Sequence, residues 1–576
     1  MPAYPPEKEA LLEIGKRNVV IVAPPGCGKT EALALRAKGL IQSGEVRAPQ
    51  RILALTFSNR ARDNLNARLR ITLGDALYLR CMTVSNFHGF AARVYRAHAA
   101  TIGLSPESVM PEKGWLGSAL QSLGANSKMA RQAESIIREV KLKPFSDEQV
   151  LESLASMGAD YALQVERLRI SEDRLDFPDL LRHCQRILAV EAVSALYRGH
   201  FGGVLVDEFQ DLTEQQLDIV MALGGDNMTL AGDPAQAIYS FAGADVEAVS
   251  RRIAELSDVK RVEFTQSYRS SPHVLKVVNA IGGPLGVPSL SSVEPEKWFN
   301  GGVVSCRKFV GEAEEADYVF DLCSALMVKD PKLSIGVISR VNYRRGTVDN
   351  RFRSTDLFPV RLWENPAYSP EVIKILRREV QKISLAGGLD EASKWDLLES
   401  GCLAAVEPTD VDLLADMQQA LEFLSGEIAG GITLEASVLG LRVSENELAP
   451  IGPGAHLLNA HVGKGQQFDW VCVVGVEEGL IPDFRAKDAK SIAEERRTLL
   501  VMASRAKYGI LATSVSHVNG LYGPRMVTVS RWWEILEGAS TSQYANPRDL
   551  ANVMTPNKEA DAVESPADVA VNPTSG

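Results

Sequence analysis

Lys29 and Thr30 close the stretch Ala23-Pro24-Pro25-Gly26-Cys27-Gly28-Lys29-Thr30, and their spacing from the glycines suits one task, the holding of a phosphate chain. Glycines let successive backbone N–H groups turn inward on an anion, Lys29 can reach the β and γ phosphates, and Thr30 offers a hydroxyl to Mg²⁺. Far along the chain the apolar run Val204-Leu205-Val206 ends in Asp207-Glu208. Two carboxylates so placed can divide the work, Asp207 supporting a cation and Glu208 activating water. A third block, Ala231 to Ala244, follows the strand signal at 228–232. These groups together suit the binding and hydrolysis of a nucleoside triphosphate.

Such groups need strands that stop where the loops begin. Val19–Val22 precedes the phosphate loop and the helix-forming stretch Glu31–Lys38 follows it. Further strands are expected at 51–56, 203–207 and 228–232, alternating with helical segments, which predicts a parallel sheet. A second sheet is expected from about Val303, with strands at 334–339, 470–475 and 509–513. The expected organisation is a first sheet domain over 1–90 and 200–272, interrupted by a helical insertion at 91–199. A second sheet domain covers 273–365 and 456–536, interrupted by a shorter helical insertion at 366–455. Residues 537–576, rich in Ser, Asn, Pro, Asp and Ala, are expected to form a disordered tail.

With 576 residues the chain exceeds a single core, and its 23% charged residues fit a soluble globular protein. No run approaches the length of a membrane span and the first residues lack the form of a signal peptide, so a cytoplasmic location is expected. The seven cysteines are scattered and never spaced Cys-x-x-Cys, which indicates neither a disulfide frame nor a zinc site. A net charge of −11 argues against a generally basic nucleic-acid coat. Local basic patches remain available at 60–70 and at Arg340–Arg345, because charge is screened beyond about 8 Å at physiological salt.

In order along the chain, further blocks carry a family resemblance. Thr56-Phe57-Ser58-Asn59-Arg60-Ala61, Thr83–Phe90 with Phe87 and His88, Leu175–Leu181, Val204–Asp211, Ala231–Ala244, Gln266–Ser270, His461–Phe468 and Glu495–Ala506 match in sequence and order. The chain resembles the superfamily 1 helicases of the UvrD/Rep/PcrA type from the phosphate loop to about Leu536. That resemblance implies an α/β fold of two RecA-like P-loop NTPase domains with parallel sheets, each carrying a helical insertion. It also implies ATP and Mg²⁺ as cofactors and single-stranded and partly duplex DNA as substrate, with 3′ to 5′ polarity. Residue by residue, it makes Ala23 to Thr30 the nucleotide loop, Thr30 and Asp207 the metal ligands and Glu208 the general base. Gln236 becomes a γ-phosphate sensor, Arg269 and Arg505 arginine fingers, Tyr268 a stacking partner of the nucleotide base, and Gln467 a ribose contact. Strand contacts are implied for Thr56, Phe57, Asn59, Phe87, His88, Tyr239, Phe241, Asn342 and His461.

The chain departs from the family's pattern at several positions. Lys8 stands where an adenine-reading glutamine is usual, Gln467 replaces a glutamate, Asn459 a threonine, Phe241 a tryptophan and Ala242 an arginine. The Lys8 exchange predicts modest discrimination between ATP and GTP. A second reading is a DNA-sensing ATPase subunit that controls a nuclease or repair partner and unwinds poorly, an arrangement similar to the helicase-like subunit of Gabija anti-phage systems. The residues leave RNA open as a substrate, and the resemblance puts DNA first.

Overall fold

Continuous apolar strands such as Val19–Val22 require cover on both faces, which a parallel sheet between helices provides. The computed structural model has this architecture twice over. It describes residues 5–57, 59–112, 115–239, 243–353, 355–363, 367–368, 370–386, 391–405, 417, 420–421, 424, 428, 433–439, 441–443, 451–520, 523–541 and 546–553. They fall into two units that divide between Gln266 and Ser267.

In the first unit helix α1 (Pro6–Glu13) leads into β1 (Asn18–Val22), and helix α2 (Lys29–Gln42) follows the phosphate loop. The other strands are β2 (Arg51–Thr56), β3 (Met82–Asn86), β4 (Phe201–Asp207), β5 (Met228–Gly232) and β6 (Val259–Glu263). Their order is β3-β2-β4-β5-β1-β6, and every neighbouring pair is parallel. Val22 lies opposite Gly232, and Asp207 opposite Ala231. The carboxyl ends of β4, β5 and β1 therefore finish side by side, where open parallel sheets place their ligands.

The helical insertion has its own core, formed by Ala119, Leu120, Ile137, Val140, Val150, Leu154 and Val165 among others. That core is narrower than the expected 91–199. Helices Phe87–His98, Phe177–Leu188 and Glu191–His200 instead supply Phe90, Val94, Leu181, Ile187 and Val193 to the core of the sheet. At the root of the insertion lies a buried charge cluster. Lys141 reaches Glu166 at 2.7 Å and Asp179 at 3.0 Å. Arg182 binds Asp179 and Asp147, both at 2.6 Å, and Arg169 binds Asp147 at 2.9 Å. His183 lies in the same cluster. Burial and the neighbouring Arg182 charge push its pKa down to about 3. Asp147 and Asp179 are thus engaged by arginines and a lysine, which leaves this acidic cluster unsuited to a cation.

The second unit builds a seven-stranded sheet in the order Val360–Leu362, Gly454–Asn459, Ser334–Ser339, Phe468–Val474, Ala506–Gly520. Strand Val303–Gly311 runs parallel to Ala506–Gly520, and Gly523–Met526 pairs with its end in antiparallel fashion. Helices Pro370–Ala386, Glu391–Ala404 and Leu434–Leu439 surround a separate core that includes Val372, Leu376, Leu398, Cys402 and Leu434. The tail expected from 537 onward begins too early. Helix Pro547–Val553 inserts Leu550 and Ala551 into the core of the second sheet, fully buried. The remainder, 554–576, lies outside the described residues. Among the described residues no helix is long and apolar enough to cross a membrane.

Candidate active site

The phosphate loop leaves β1 and turns on Gly26 and Gly28, both with φ of +83°. Side chains other than glycine adopt that region only under strain. Gly28 caps α2, so the helix starts at Lys29 with its unpaired N–H groups facing the loop, an arrangement that favours an anion. Lys29 Nζ donates to Glu208 Oε2 and stands 4.0 Å from Asp207 Oδ1. Burial lowers the pKa of this ammonium, but the charges of Glu208 and Asp207 outweigh it and the net shift is upward. Asp207 is buried at the end of β4, and burial, reinforced by the Glu208 charge, pushes its carboxyl up to about 7 against the opposing pull of Lys29. Thr30 and Asp207 carry a hydroxyl and a carboxylate, the oxygen donors a magnesium ion takes from a protein when phosphate oxygens and water complete its shell.

Glu208 departs from the strand with φ of +58°, and its N–H donates to Asp207 Oδ1 at 3.0 Å. From here a chain of hydrogen bonds crosses from β4 to β5. Gln210 Nε2 donates to Glu208 Oε2 at 2.5 Å, while Gln210 Oε1 accepts the Asp233 N–H at 2.9 Å. Asp233 Oδ2 accepts from Gln236 Nε2 at 2.8 Å, and its Oδ1 from Ala235 N–H at 3.0 Å. Burial raises the Asp233 pKa, against the hydrogen bonds from Gln236 and Ala235. Gly232 is needed for the crossing, since a Cβ there would lie 2.4 Å from Gln210 Oε1 and 2.5 Å from the Phe209 ring. The expected base and the expected γ-phosphate sensor are thus linked through Gln210 and Asp233. The sequence alone gave neither residue a role, although both lie within the Val204–Asp211 and Ala231–Ala244 blocks.

Two of the expected strand contacts meet in this unit. The rings of Phe57 and Tyr239 stack at 5.7 Å with an interplanar angle of 15°, and Phe57 is 38% exposed. Thr56 is fully buried at the end of β2, and Phe87 belongs to the core of the sheet. His88 is half-buried beside Phe177 at 6.2 Å, and burial lowers its pKa. Asn59 begins the helix Asn59–Leu73, but its side chain lies outside the described residues, as do Phe241 and Ala242.

The remaining expected residues belong to the second unit. Arg269 and Arg505 meet at Ser504, where Arg269 Nη1 donates to the carbonyl at 3.4 Å and Arg505 Nη2 to Oγ at 2.9 Å. Arg505 is buried and also donates to Val501 O at 2.9 Å. Tyr268 and Gln467 are exposed. Asn459 Nδ2 donates to Asn342 Oδ1 at 3.1 Å, and Asn459 Oδ1 accepts the N–H groups of His461 and Val462 at 3.0 Å. Asn459 thus caps the short helix Ala460–Gly463. Burial and the nearby Arg340 push the His461 pKa down to about 4, so the ring is neutral at pH 7.

Comparison with known proteins agrees with the geometry. Residues 5–256 match the model of the UvrD/REP helicase N-terminal domain, and residues 435–516 that of the UvrD-like helicase C-terminal domain. The chain is 25% identical over 606 residues to "ATP-dependent DNA helicase UvrD2" of Mycobacterium tuberculosis, spanning 97% of this chain and 82% of the relative. It is 30% identical over 305 residues to "ATP-dependent DNA helicase UvrD1" of Mycobacterium leprae, over 48% of this chain and 39% of the relative.

Proposed function

This chain belongs to the UvrD/Rep family of ATP-dependent DNA helicases, and we propose that it couples ATP hydrolysis to 3′–5′ movement on single-stranded DNA and to unwinding of the duplex ahead. The observation that carries this reading is the hydrogen-bonded link from Glu208 through Gln210 and Asp233 to Gln236, built at the ends of adjacent strands beside the phosphate loop.

In the proposed mechanism the loop N–H groups and Lys29 hold the triphosphate. Lys29 exchanges its bond to Glu208 for the β and γ phosphates, which frees the carboxylate to accept a proton from the attacking water. Thr30 and Asp207 would hold Mg²⁺, which when bound compensates phosphate charge. Gln236 contacts the γ-phosphate, and its bond to Asp233 relays the presence or loss of that group to Gln210 and Glu208. Arg269 and Arg505 supply positive charge to the transferring phosphoryl group, a role commonly worth about 10³–10⁵ in rate. Phe57 and Tyr239 offer ring faces to the bases of the strand.

The test measures ATP turnover with and without single-stranded DNA, then unwinding of duplexes carrying a 3′ or a 5′ tail. Strand-stimulated turnover with unwinding of the 3′-tailed duplex alone is expected. Stimulated turnover without unwinding of either duplex would favour a DNA-sensing ATPase instead.

A further inference from the structure

Strand Val303–Gly311 pairs with Ala506–Gly520 on one side, and the middle of its other side is open. Val304 turns to that side: its N–H donates to Thr541 Oγ1 at 3.0 Å and its carbonyl accepts the Thr541 N–H at 2.9 Å. Val310 does the same, its N–H donating to Glu314 Oε2 at 2.9 Å. Backbone groups alternate sides along a strand, so Cys306 and Lys308 also face outward. Among the described residues nothing pairs with their outward N–H and C=O groups. The interval from Val304 to Val310 is roughly 20 Å, long enough for a short strand.

Beside this edge lies a cleft of about 650 Å³, walled by Cys306, Lys308, Trp533, Glu537, Ser540 and Thr541. Two of its wall residues carry donors without an acceptor among the described residues. One is Trp533, whose Nε1 is unpaired on a side chain only 2% exposed. The other is Lys308, whose ammonium stands 5.3 Å over the Trp533 ring with no carboxylate paired to it. Burial, with the charge of Glu537 added, pushes the Cys306 thiol up to about 12, so it stays protonated and is no nucleophile. The cleft is suited to recognition of acceptors and not to covalent chemistry.

We propose that this edge receives an extended, acidic segment of a partner protein, which adds a strand beside Cys306 and Lys308. Backbone bonds to these two residues hold the segment. A residue opposite either of them turns its side chain to the same face of the sheet, where a carboxylate can meet Lys308. Charge complementarity selects this occupant, since donors without acceptors call for an anionic side chain. The unpaired N–H and C=O groups call for a polypeptide, because a small molecule in the cleft would leave them unanswered. The proposal does not depend on the hydrolytic reading.

The test uses the full chain and labelled peptides that alternate valine with aspartate, alternate valine with asparagine, or carry proline at the centre of the aspartate version. Fluorescence anisotropy reads affinity, and hydrogen exchange reads the Cys306 and Lys308 amides. The aspartate peptide is expected to slow exchange at both amides. It should bind about two- to fivefold more tightly than the asparagine peptide, the scale of an exposed ion pair. Lys308→Ala should erase that ratio while ATP turnover and melting temperature stay as in the natural chain. The proline peptide lacks a ladder N–H and should protect neither amide. Protection by the proline peptide, none by the aspartate peptide, or a ratio that persists in Lys308→Ala would overturn the proposal. So would tighter binding to Lys308→Ala, which would make the lysine a guard against pairing. Slow exchange without any peptide would overturn it as well, assigning the edge to another part of this chain if independent of protein concentration and to a second copy if not.

Discussion

Gln210 has no chemistry of its own to offer, yet it holds Glu208 on one side and Asp233 on the other. Replacing Gln210 by alanine should lower kcat by about 10–100-fold, the scale on which misplacement of a catalytic group costs rate, while nucleotide affinity stays within about threefold. Glu208→Gln should bind ATP and lose about 10²–10⁴ in turnover, the usual contribution of a general base. Single-turnover hydrolysis alongside nucleotide titration separates the two effects, and retained turnover in Glu208→Gln would remove the assigned base. Phe57→Ala should weaken single-strand binding by about 1–3 kcal/mol with basal ATPase retained, as fluorescence anisotropy of a labelled oligonucleotide would show. The loop and the acidic pair were legible in the sequence because each is a contiguous run with fixed neighbours. Gln210 and Asp233 were not, since their bond joins two strands that only the sheet order makes adjacent. Thr56 is buried beside the exposed Phe57 and Phe87 beside the half-buried His88, and burial of one side chain within such a block cannot be read from the block.

At the scale of elements, the strand runs announced the sheets because apolar residues on both faces have few other uses. β3 and β6 escaped notice: Met82–Asn86 mixes polar with apolar residues, and in Val259–Glu263 only Val262 is buried. The same holds for Gly454–Asn459, whose central His456 masks a buried strand. That histidine is tied in its neutral form, with Nδ1 accepting from Trp363 Nε1 at 3.1 Å and Nε2 facing the Gly452 carbonyl at 2.8 Å. Burial pushes its pKa down to about 4 from an ordinary 6.5. As pH falls the unfolded chain takes up this proton first, so the contribution of His456 to stability is present above 6.5 and is lost between 6.5 and about 4. The loss should approach about 1.4 kcal/mol per pH unit within that window. Urea titrations followed by tryptophan fluorescence should show the natural chain losing its advantage over His456→Gln as the pH drops. Equal pH slopes in the two proteins would assign the acid sensitivity to other groups.

For the molecule as a whole, two sheets with separate cores share the proposed site residues unequally. The first unit contains the phosphate loop, Asp207, Glu208 and Gln236, whereas the second contains Arg269 and Arg505, both held at Ser504. If these arginines act on the phosphoryl group, Arg505→Ala should cut strand-stimulated kcat by about 10³ or more while DNA affinity changes less than threefold. An unchanged kcat would confine the chemistry to the first unit. The buried cluster around Asp179 bears on a different property, the way the first unit comes apart. Lys141 and Arg169 sit on helices of the insertion, and their shared counter-ion Asp179 sits on a helix that belongs to the core of the sheet. Local opening of the insertion alone would strand those charges, at about 3–5 kcal/mol for a broken buried pair. Amide hydrogens of the insertion's inner helices should therefore exchange at the same denaturant concentration as those of β4 and β5. Proteolytic nicking within the insertion should likewise track global unfolding of the unit instead of preceding it.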